Sequence, residues 1–144
     1  MRSLLDINVI IALLDSDHDF HHRAHAWWEA HGGDGWASCP LTENGVIRIM
    51  SHPAYNPRRP LTPTAVVTIL RTFAQGTEYR FWPDRISLLD DTLIDSAHIL
   101  GPRQVTDIYL LALATSHEGR LVTFDESVNH RAVPERGAHH LVTI

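Results

Sequence analysis

The sequence predicts one α/β domain, residues 1–144, built on a parallel sheet. Stretches with strand character alternate with amphipathic helical stretches, which is the pattern of β–α–β units. The strand candidates are short and almost continuously apolar, as expected for strands that helices cover on both faces. The chain has 144 residues, enough for one domain that buries about 70% of its unfolded surface. We find no repeat, low-complexity tract or linker.

The first half of the chain is predicted to hold two strands and three helices. Gly32–Gly35 marks the turn before the second strand, and Pro40 suits the first turn of the helix after it. Residues 51–63 contain four of the eight prolines and predict an extended, exposed loop. The predicted strands are Ser3–Leu5 and Trp36–Cys39, and the predicted helices are about Asn8–Leu14, His21–Ala30 and Pro40–Met50.

The second half is predicted to hold three helices and three strands. Gly76, Gly101 and Gly119 end the helices, and Thr62 and Thr106 are the expected N-caps of the first and third. Acids near the start of the middle helix suit its dipole. The predicted helices are Thr64–Gln75, Thr92–Leu100 and Val105–Glu118, and the predicted strands are Tyr79–Trp82, Arg120–Phe124 and Leu141–Ile144.

The composition excludes several kinds of chemistry. All 12 basic residues are Arg, so no lysine is present for a Schiff base, a P-loop or a phosphoaspartate site. Cys39 is the only cysteine, which excludes a disulfide framework and a cysteine-based zinc site. The net charge of −5 disfavours nucleic-acid binding as a bulk property. Acids gathered in one metal-filled pocket would leave the remaining surface nearer to neutral.

The sequence shows no membrane or export signal. No apolar run approaches the roughly 20 residues that span a bilayer. Arg2 is basic, but Asp6 interrupts the apolar stretch and no small-residue cleavage site follows. We therefore expect a cytoplasmic protein.

Four acids occupy equivalent places in the predicted domain. Asp6 and Asp125 each follow a strand, whereas Glu43 and Asp107 each open a helix at the head of its apolar stripe. The carboxyl ends of parallel strands meet at one edge of a sheet, where ligands gather. We therefore expect the four carboxylates to converge, although Asp6 by itself is equally well explained as a helix cap.

Converging carboxylates require a proton or a cation. Two charges about 4 Å apart repel by roughly 4 kcal/mol at an effective dielectric constant near 20, so the acids must have raised pKa values or share a metal ion. Mg²⁺ binds through one or two carboxylates, keeps several waters and contacts phosphates, and Mn²⁺ accepts the same ligands. Such a site activates water and holds a scissile phosphate. The sequence therefore predicts metal-dependent phosphodiester hydrolysis.

The acids lie within motifs that resemble those of a known family. The PIN-domain nucleases, and among them the VapC-type toxins of bacterial toxin–antitoxin pairs, have similar motifs over essentially the whole chain. In this chain they read Leu-Leu-Asp6-Ile-Asn8, Thr42-Glu43, Val-Thr-Asp107-Ile-Tyr-Leu-Leu-Ala-Leu-Ala and Leu-Val-Thr123-Phe-Asp125. One departure follows Asp125, where the chain reads Glu-Ser-Val and relatives often have a glycine and an aromatic residue.

This resemblance implies a fold, an activity and partners. The fold would be a sheet of five parallel strands sandwiched by helices, usually in a homodimer. The activity would be that of a Mg²⁺- or Mn²⁺-dependent endoribonuclease acting on RNA, inhibited by a cognate antitoxin inserted near the site.

The resemblance also assigns roles to residues. Asp6 and Asp107 would be the main metal ligands. Asp125 would complete the pocket, and Glu43 would bind metal or position the attacking water. Asn8 and Thr123 would support the acids through hydrogen bonds.

Two features outside the acids have alternative interpretations. The proline-rich loop carries Tyr55, Arg58 and Arg59, which suit contacts with RNA or simply a charged surface loop. A cluster of histidines at positions 18, 21, 22 and 25 has helical spacing. His21 and His25 could hold a transition metal, whereas a solvent-facing amphipathic helix is the simpler interpretation.

Three other functions compete with a metal-dependent toxin. A metal-independent ribonuclease would use a histidine acid–base pair; it would cleave in EDTA and leave cyclic phosphates, whereas the metal-dependent route leaves 5′-phosphates. A PIN-type nuclease of RNA processing would cleave RNA without being a toxin. A degenerate domain would bind RNA or protein without cleavage.

Overall fold

The computed structural model describes residues 1–134 and 137–144. Its five strands are β1 Ser3–Leu5, β2 Trp36–Ser38, β3 Tyr79–Phe81, β4 Arg120–Thr123 and β5 Leu141–Thr143. They form one sheet in the order β3-β2-β1-β4-β5, and every neighbouring pair is parallel. The predicted parallel α/β fold is therefore confirmed.

Helices cover both faces of the sheet. They are α1 Ile7–Leu14, α2 His21–His31, α3 Pro40–Met50, α4 Pro63–Gln75 and α5 Val105–Ser116. Successive strand residues face opposite sides, so Leu4 lies in the apolar cluster that contains α5 whereas Leu5 lies in the cluster that contains α1. In the described part of the chain, no helix has the length and apolar character needed to cross a bilayer.

The predicted helix Thr92–Leu100 is wrong. The segment holds a single 3-10 turn, Ser96–His98, which the carboxylate of Asp95 caps by accepting from the N–H of Ala97. The N–H of Asp95 donates to the carbonyl of Ala132 rather than to a helical neighbour. An aspartate side chain that hydrogen-bonds to nearby backbone groups competes with helix formation. Here the tertiary hydrogen bond from Asp95 to Ala132 takes the place of a helical one.

The two predicted N-caps have different outcomes. The hydroxyl of Thr62 accepts from the N–H of Ala65 at 3.1 Å and caps α4, as expected. Thr106 is not a cap, because a 3-10 turn at Pro102–Gln104 leads directly into α5 and Gln104 occupies the N-cap position.

Two histidines of α2 bind the end of α1 instead of facing solvent. The Nδ1 atom of His21 lies 2.7 Å from the carbonyl oxygen of Ala12, and the Nε2 atom of His25 lies 3.2 Å from that of Leu13. The last carbonyl groups of a helix lack partners within the helix. These histidines supply partners and hold α2 against α1, which corrects the simpler interpretation for this pair.

Candidate active site

A cavity of about 250 Å³ at the carboxyl edge of the sheet is lined by three of the four predicted acids. Asp6 directly follows β1, Asp107 lies in the first turn of α5, and Asp125 lies two residues after β4. The other lining residues are Ile7, Asn8, Ile49, Arg103, Thr106 and Phe124. The topology thus gathers side chains that are far apart in the sequence.

Asp6 is held by hydrogen bonds at both carboxylate oxygens. The N–H of Ile7 donates to Oδ1 at 2.7 Å, and the hydroxyl of Thr123 donates to Oδ2 at 2.8 Å. Burial raises the pKa of Asp6; the bonds from Thr123 and Ile7 oppose this rise, and the charge of Asp125 adds to it. Asp6 therefore combines both interpretations of its sequence position, since it caps α1 and also lines the cavity.

Asp107, in the first turn of α5, has a strongly raised pKa. Its carboxyl group is half-buried, and burial, followed by the negative charges of Asp6 and Asp125, raises its pKa from 3.8 to about 7. Hydrogen bonding to Asp125 also favours the protonated form. Without a cation, the cavity thus relieves its repulsion by retaining a proton near neutral pH.

Asp125 is exposed and is fixed by a short turn. The hydroxyl and the N–H of Ser127 donate to its Oδ1 atom at 2.6 and 2.7 Å, and these bonds lower its pKa. The N–H of Asp125 donates to the hydroxyl of Thr123, which itself donates to Asp6. Thr123 therefore connects two of the acids, while Asn8 lies exposed on the cavity wall.

Sequence reasoning missed two groups around this turn. The hydroxyl of Ser127 orients Asp125, and the side-chain amide of Gln104 donates to the carbonyl of Ser127 at 2.7 Å. Gln104 thereby ties the turn to the start of α5, which carries Asp107. An Asp-x-Ser sequence predicts a turn of this kind, but no local signal indicated the contact with Gln104. Arg103, a basic residue of the cavity lining, was also missed.

Glu43 lies at the same edge of the sheet but lines an adjacent cavity of about 230 Å³. Its Oε1 atom accepts from the hydroxyls of Ser38 at 2.6 Å and Tyr79 at 3.1 Å. The helix that carries Glu43 packs against the three-acid cavity, because Gly45 of this helix contacts Ile7, which lines that cavity. The contact is so close that a Cβ atom added to Gly45 would lie 2.3 Å from the Cδ1 atom of Ile7. The structure therefore groups three of the acids and places the fourth in the neighbouring cavity.

The proline-rich loop lies outside both cavities. The hydroxyl of Tyr55 donates to the carboxylate of Asp15, and its ring borders a depression that also contains Asp17 and Asp19. Burial, followed by the hydrogen bond with Asp15, raises the pKa of Tyr55. Arg58 and Arg59 are exposed in turns. RNA binding by these three side chains stays a prediction.

The oxygen ligands of the three-acid cavity suit a hard divalent cation. Within residues 1–134 and 137–144, no group of three His, Cys, Asp or Glu side chains is arranged to hold a metal ion as it stands. Mg²⁺ does not need three, because one or two carboxylates and several waters complete its coordination. Asp6 and Asp107 offer such oxygens; burial, with the charges of neighbouring acids, raises the pKa of each, and a bound cation would favour their charged forms.

Comparison with known proteins establishes the family. The model of the PIN domain family matches residues 3–134. Ribonuclease VapC44 of Mycobacterium tuberculosis (strain ATCC 25618 / H37Rv) is 44% identical over 144 residues, covering 100% of both chains. Ribonuclease VapC38 of the same strain is 41% identical over 126 residues, covering 88% of this chain and 86% of the relative.

A solved structure shows the same fold. The crystal structure of VapBC2 from Rickettsia felis bound to a DNA fragment from their promoter matches with a TM-score of 0.55 and 11% identity, covering 100% of this chain and 98% of that one. At this identity the match concerns the fold alone. The resemblance seen in the acidic motifs is confirmed by the family match and by the VapC relatives, and this chain belongs to the PIN-domain family.

Proposed function

We propose that this chain is a metal-dependent endoribonuclease, the toxin of a VapBC-type toxin–antitoxin pair, with residues 1–144 acting as one nuclease domain. The observation that carries the proposal is the grouping of Asp6, Asp107 and Asp125 around one cavity. Similarity to proteins named ribonuclease VapC supports RNA as the substrate class. On the basis of the resemblance to VapC-type toxins, the proposed protein partners are a cognate antitoxin and a second copy of the chain.

Asp6 and Asp107 are the proposed ligands of Mg²⁺, or of Mn²⁺, and Asp125 completes the pocket. When bound, the ion would activate water and neutralise charge on the phosphate. Hydrogen bonds from Ile7 and Thr123 fix the carboxylate of Asp6 before any ligand arrives. Preorganised ligands reduce the cost of assembling a site.

Glu43 is the proposed fourth acid, which binds metal or positions the attacking water. Its Oε1 atom is held by the hydroxyls of Ser38 and Tyr79, so these two residues set the direction of its carboxylate. Asn8 and Thr123 are proposed to support the acids, and for Thr123 the hydrogen bond to Asp6 supports that role.

Cleavage of a labelled single-stranded RNA by the purified protein tests the proposal. Mg²⁺ should support cleavage that leaves 5′-phosphate ends, EDTA should stop it, and Asp6→Ala and Asp107→Asn should each abolish it. Asp91→Asn is the matched control, because Asp91 is an exposed acid outside the cavity. Cleavage in EDTA with cyclic-phosphate ends would instead establish a histidine mechanism, and retained cleavage by both variants would end the metal hypothesis.

The toxin role needs a separate test. Co-expression with the small protein encoded alongside should yield a stable complex in which cleavage is inhibited. If the nuclease is active but no neighbour-encoded protein binds it, the alternative of a PIN-type RNA-processing nuclease is favoured. RNA binding without cleavage under any metal condition would favour a non-cleaving module.

A further inference from the structure

An aromatic pair lies beside the three-acid cavity. Phe124 stands between Thr123 and Asp125 in the sequence and is one of the residues that line the cavity. Phe20, the residue before α2, keeps 42% of its surface exposed. The centroids of the two rings are 4.9 Å apart and their planes meet at 49°. The pair therefore extends an apolar surface from the cavity wall out to solvent.

The side chain of Arg23 lies close to both rings and leaves part of Phe20 exposed. The guanidinium carbon of Arg23 lies 5.5 Å from the centroid of the Phe20 ring and 5.6 Å from that of the Phe124 ring. The four salt bridges found among the described residues do not include Arg23, which is exposed. Its guanidinium thus lies over Phe124, which belongs to the cavity lining, and has no ion-pair partner within residues 1–134 and 137–144. We call Phe20, Arg23 and Phe124 the aromatic platform.

The platform has the chemistry of a nucleotide-binding surface. Proteins that bind single-stranded nucleic acids stack bases on aromatic rings, and this stacking needs an unpaired base. Arginine adds a planar cation that stacks on rings and contacts phosphate. The rings match the bases of RNA, and the positive charge matches its polyanionic backbone. An apolar peptide with few acidic residues would match this surface less well. Its position beside Asp125 places it next to the proposed cleavage site.

We propose that the aromatic platform binds the nucleotide adjacent to the scissile phosphate, with an unpaired base stacked on Phe20 and a phosphate contacted by Arg23. This inference rests on the proposed function and deepens it, because it makes the substrate single-stranded at the cleavage site. Phe124 joins the platform to the cavity, so a base held there sets the register of the strand against the acids.

Binding measurements in a cleavage-inactive Asp107→Asn background test the platform. Phe20→Ala, Phe20→Leu and Phe20→Trp are compared on single-stranded oligoribonucleotides in which 2-aminopurine, whose fluorescence falls on stacking, occupies each position in turn. Phe81→Ala is the matched control: Phe81 is 50% exposed and lies on the edge strand β3, which β2 and β1 separate from β4.

The expected result separates stacking from mere apolar contact. The alanine and leucine variants should lose the fluorescence change and bind about five-fold or more weakly, whereas the tryptophan variant keeps both. Phe81→Ala should bind like the parent. Arg23→Ala should weaken binding to every RNA sequence and reduce its dependence on salt.

Two results would overturn the inference. One is parental affinity and parental fluorescence change in a folded Phe20→Leu or Phe20→Ala variant; leucine preserves apolar packing if alanine unfolds the chain. The other is an unchanged affinity for RNA together with weaker binding of a partner protein, which would assign the platform to a protein interface. If the wild-type protein does not cleave RNA, the proposed function is refuted. If the wild-type protein cleaves RNA but substitution of Phe20 leaves RNA binding unchanged, only the platform is refuted.

Discussion

In the metal-free protein, we expect Asp107→Asn to raise the free energy of unfolding at neutral pH. Burial and the charges of Asp6 and Asp125 raise the pKa of Asp107 from 3.8 to about 7. The folded protein then binds a proton that the unfolded chain releases, so the free energy of unfolding falls as pH rises through this interval. Asparagine has a similar shape and no charge to lose, and should escape this penalty.

The size of the expected stabilisation follows from the change in the pKa of Asp107. A rise of about three pH units corresponds to about 4 kcal/mol as an upper bound. Asp107 is only half-buried, so solvent screening reduces the expected gain to about 1–2 kcal/mol at pH 7.5. At pH 4.5 only the small part of this interval just above pH 3.8 has been crossed, so little of the penalty has accumulated and the gain should be about a few tenths of a kcal/mol.

Urea unfolding in EDTA, followed by the fluorescence of the four tryptophans, measures the difference by linear extrapolation. Asp91→Asn, an exposed acid outside the cavity, is the control and should show no gain. Added Mg²⁺ should stabilise the parent and leave Asp107→Asn nearly unchanged, which reverses the order of the two. A gain that is equal at pH 4.5 and pH 7.5, or a less stable variant at pH 7.5, would refute the reasoning.

Three further substitutions test how the site and its frame are held. Ser127→Ala removes the hydroxyl bonded to Asp125 and should weaken Mn²⁺ affinity about three-fold in a calorimetric titration, with Ser127→Thr restoring it; equal affinities would contradict a positioning role. Thr123→Val should lower the free energy of unfolding in urea by about 1–3 kcal/mol and reduce cleavage, because the buried hydroxyl of Thr123 donates to Asp6. Thr123→Ser keeps the hydroxyl and should keep both the stability and the cleavage. Gly119→Ala would place a Cβ atom 2.8 Å from the backbone oxygen of Arg2 and should lower the melting temperature without changing kcat per folded molecule. Gly33→Ala, with no atom within 4 Å, is its control.

Local chemistry predicted most of the helices and strands of the chain. β1 and α1 meet at Asp6, and the cap at Thr62 follows from the preference of helix starts for hydroxyl and carboxylate side chains. The same reasoning failed at 92–100. There the decisive bond joins Asp95 to Ala132, and no property of the segment itself indicates that partner.

The convergence of three acids in the candidate site was predicted from the sequence, but the position of Glu43 was not. The rule that parallel strands present their carboxyl ends at one edge anticipated the grouping of Asp6, Asp107 and Asp125. It could not anticipate that the hydroxyls of Ser38 and Tyr79 hold Glu43 in the adjacent cavity. That outcome depends on the packing of α3 against its neighbours.

The sequence by itself determined which residue types follow each strand, and therefore that this protein carries acids and hydrogen-bonding groups at one edge of a parallel sheet. These properties follow from periodicity and residue chemistry, which act over a few neighbouring positions. The tertiary structure alone decided which acids share a cavity, which of them keeps a proton and which rings lie beside them. Those properties depend on distances between residues remote in the chain: the hydrogen bond from Thr123 to Asp6 spans 117 positions, and electrostatic interactions and burial follow from that proximity.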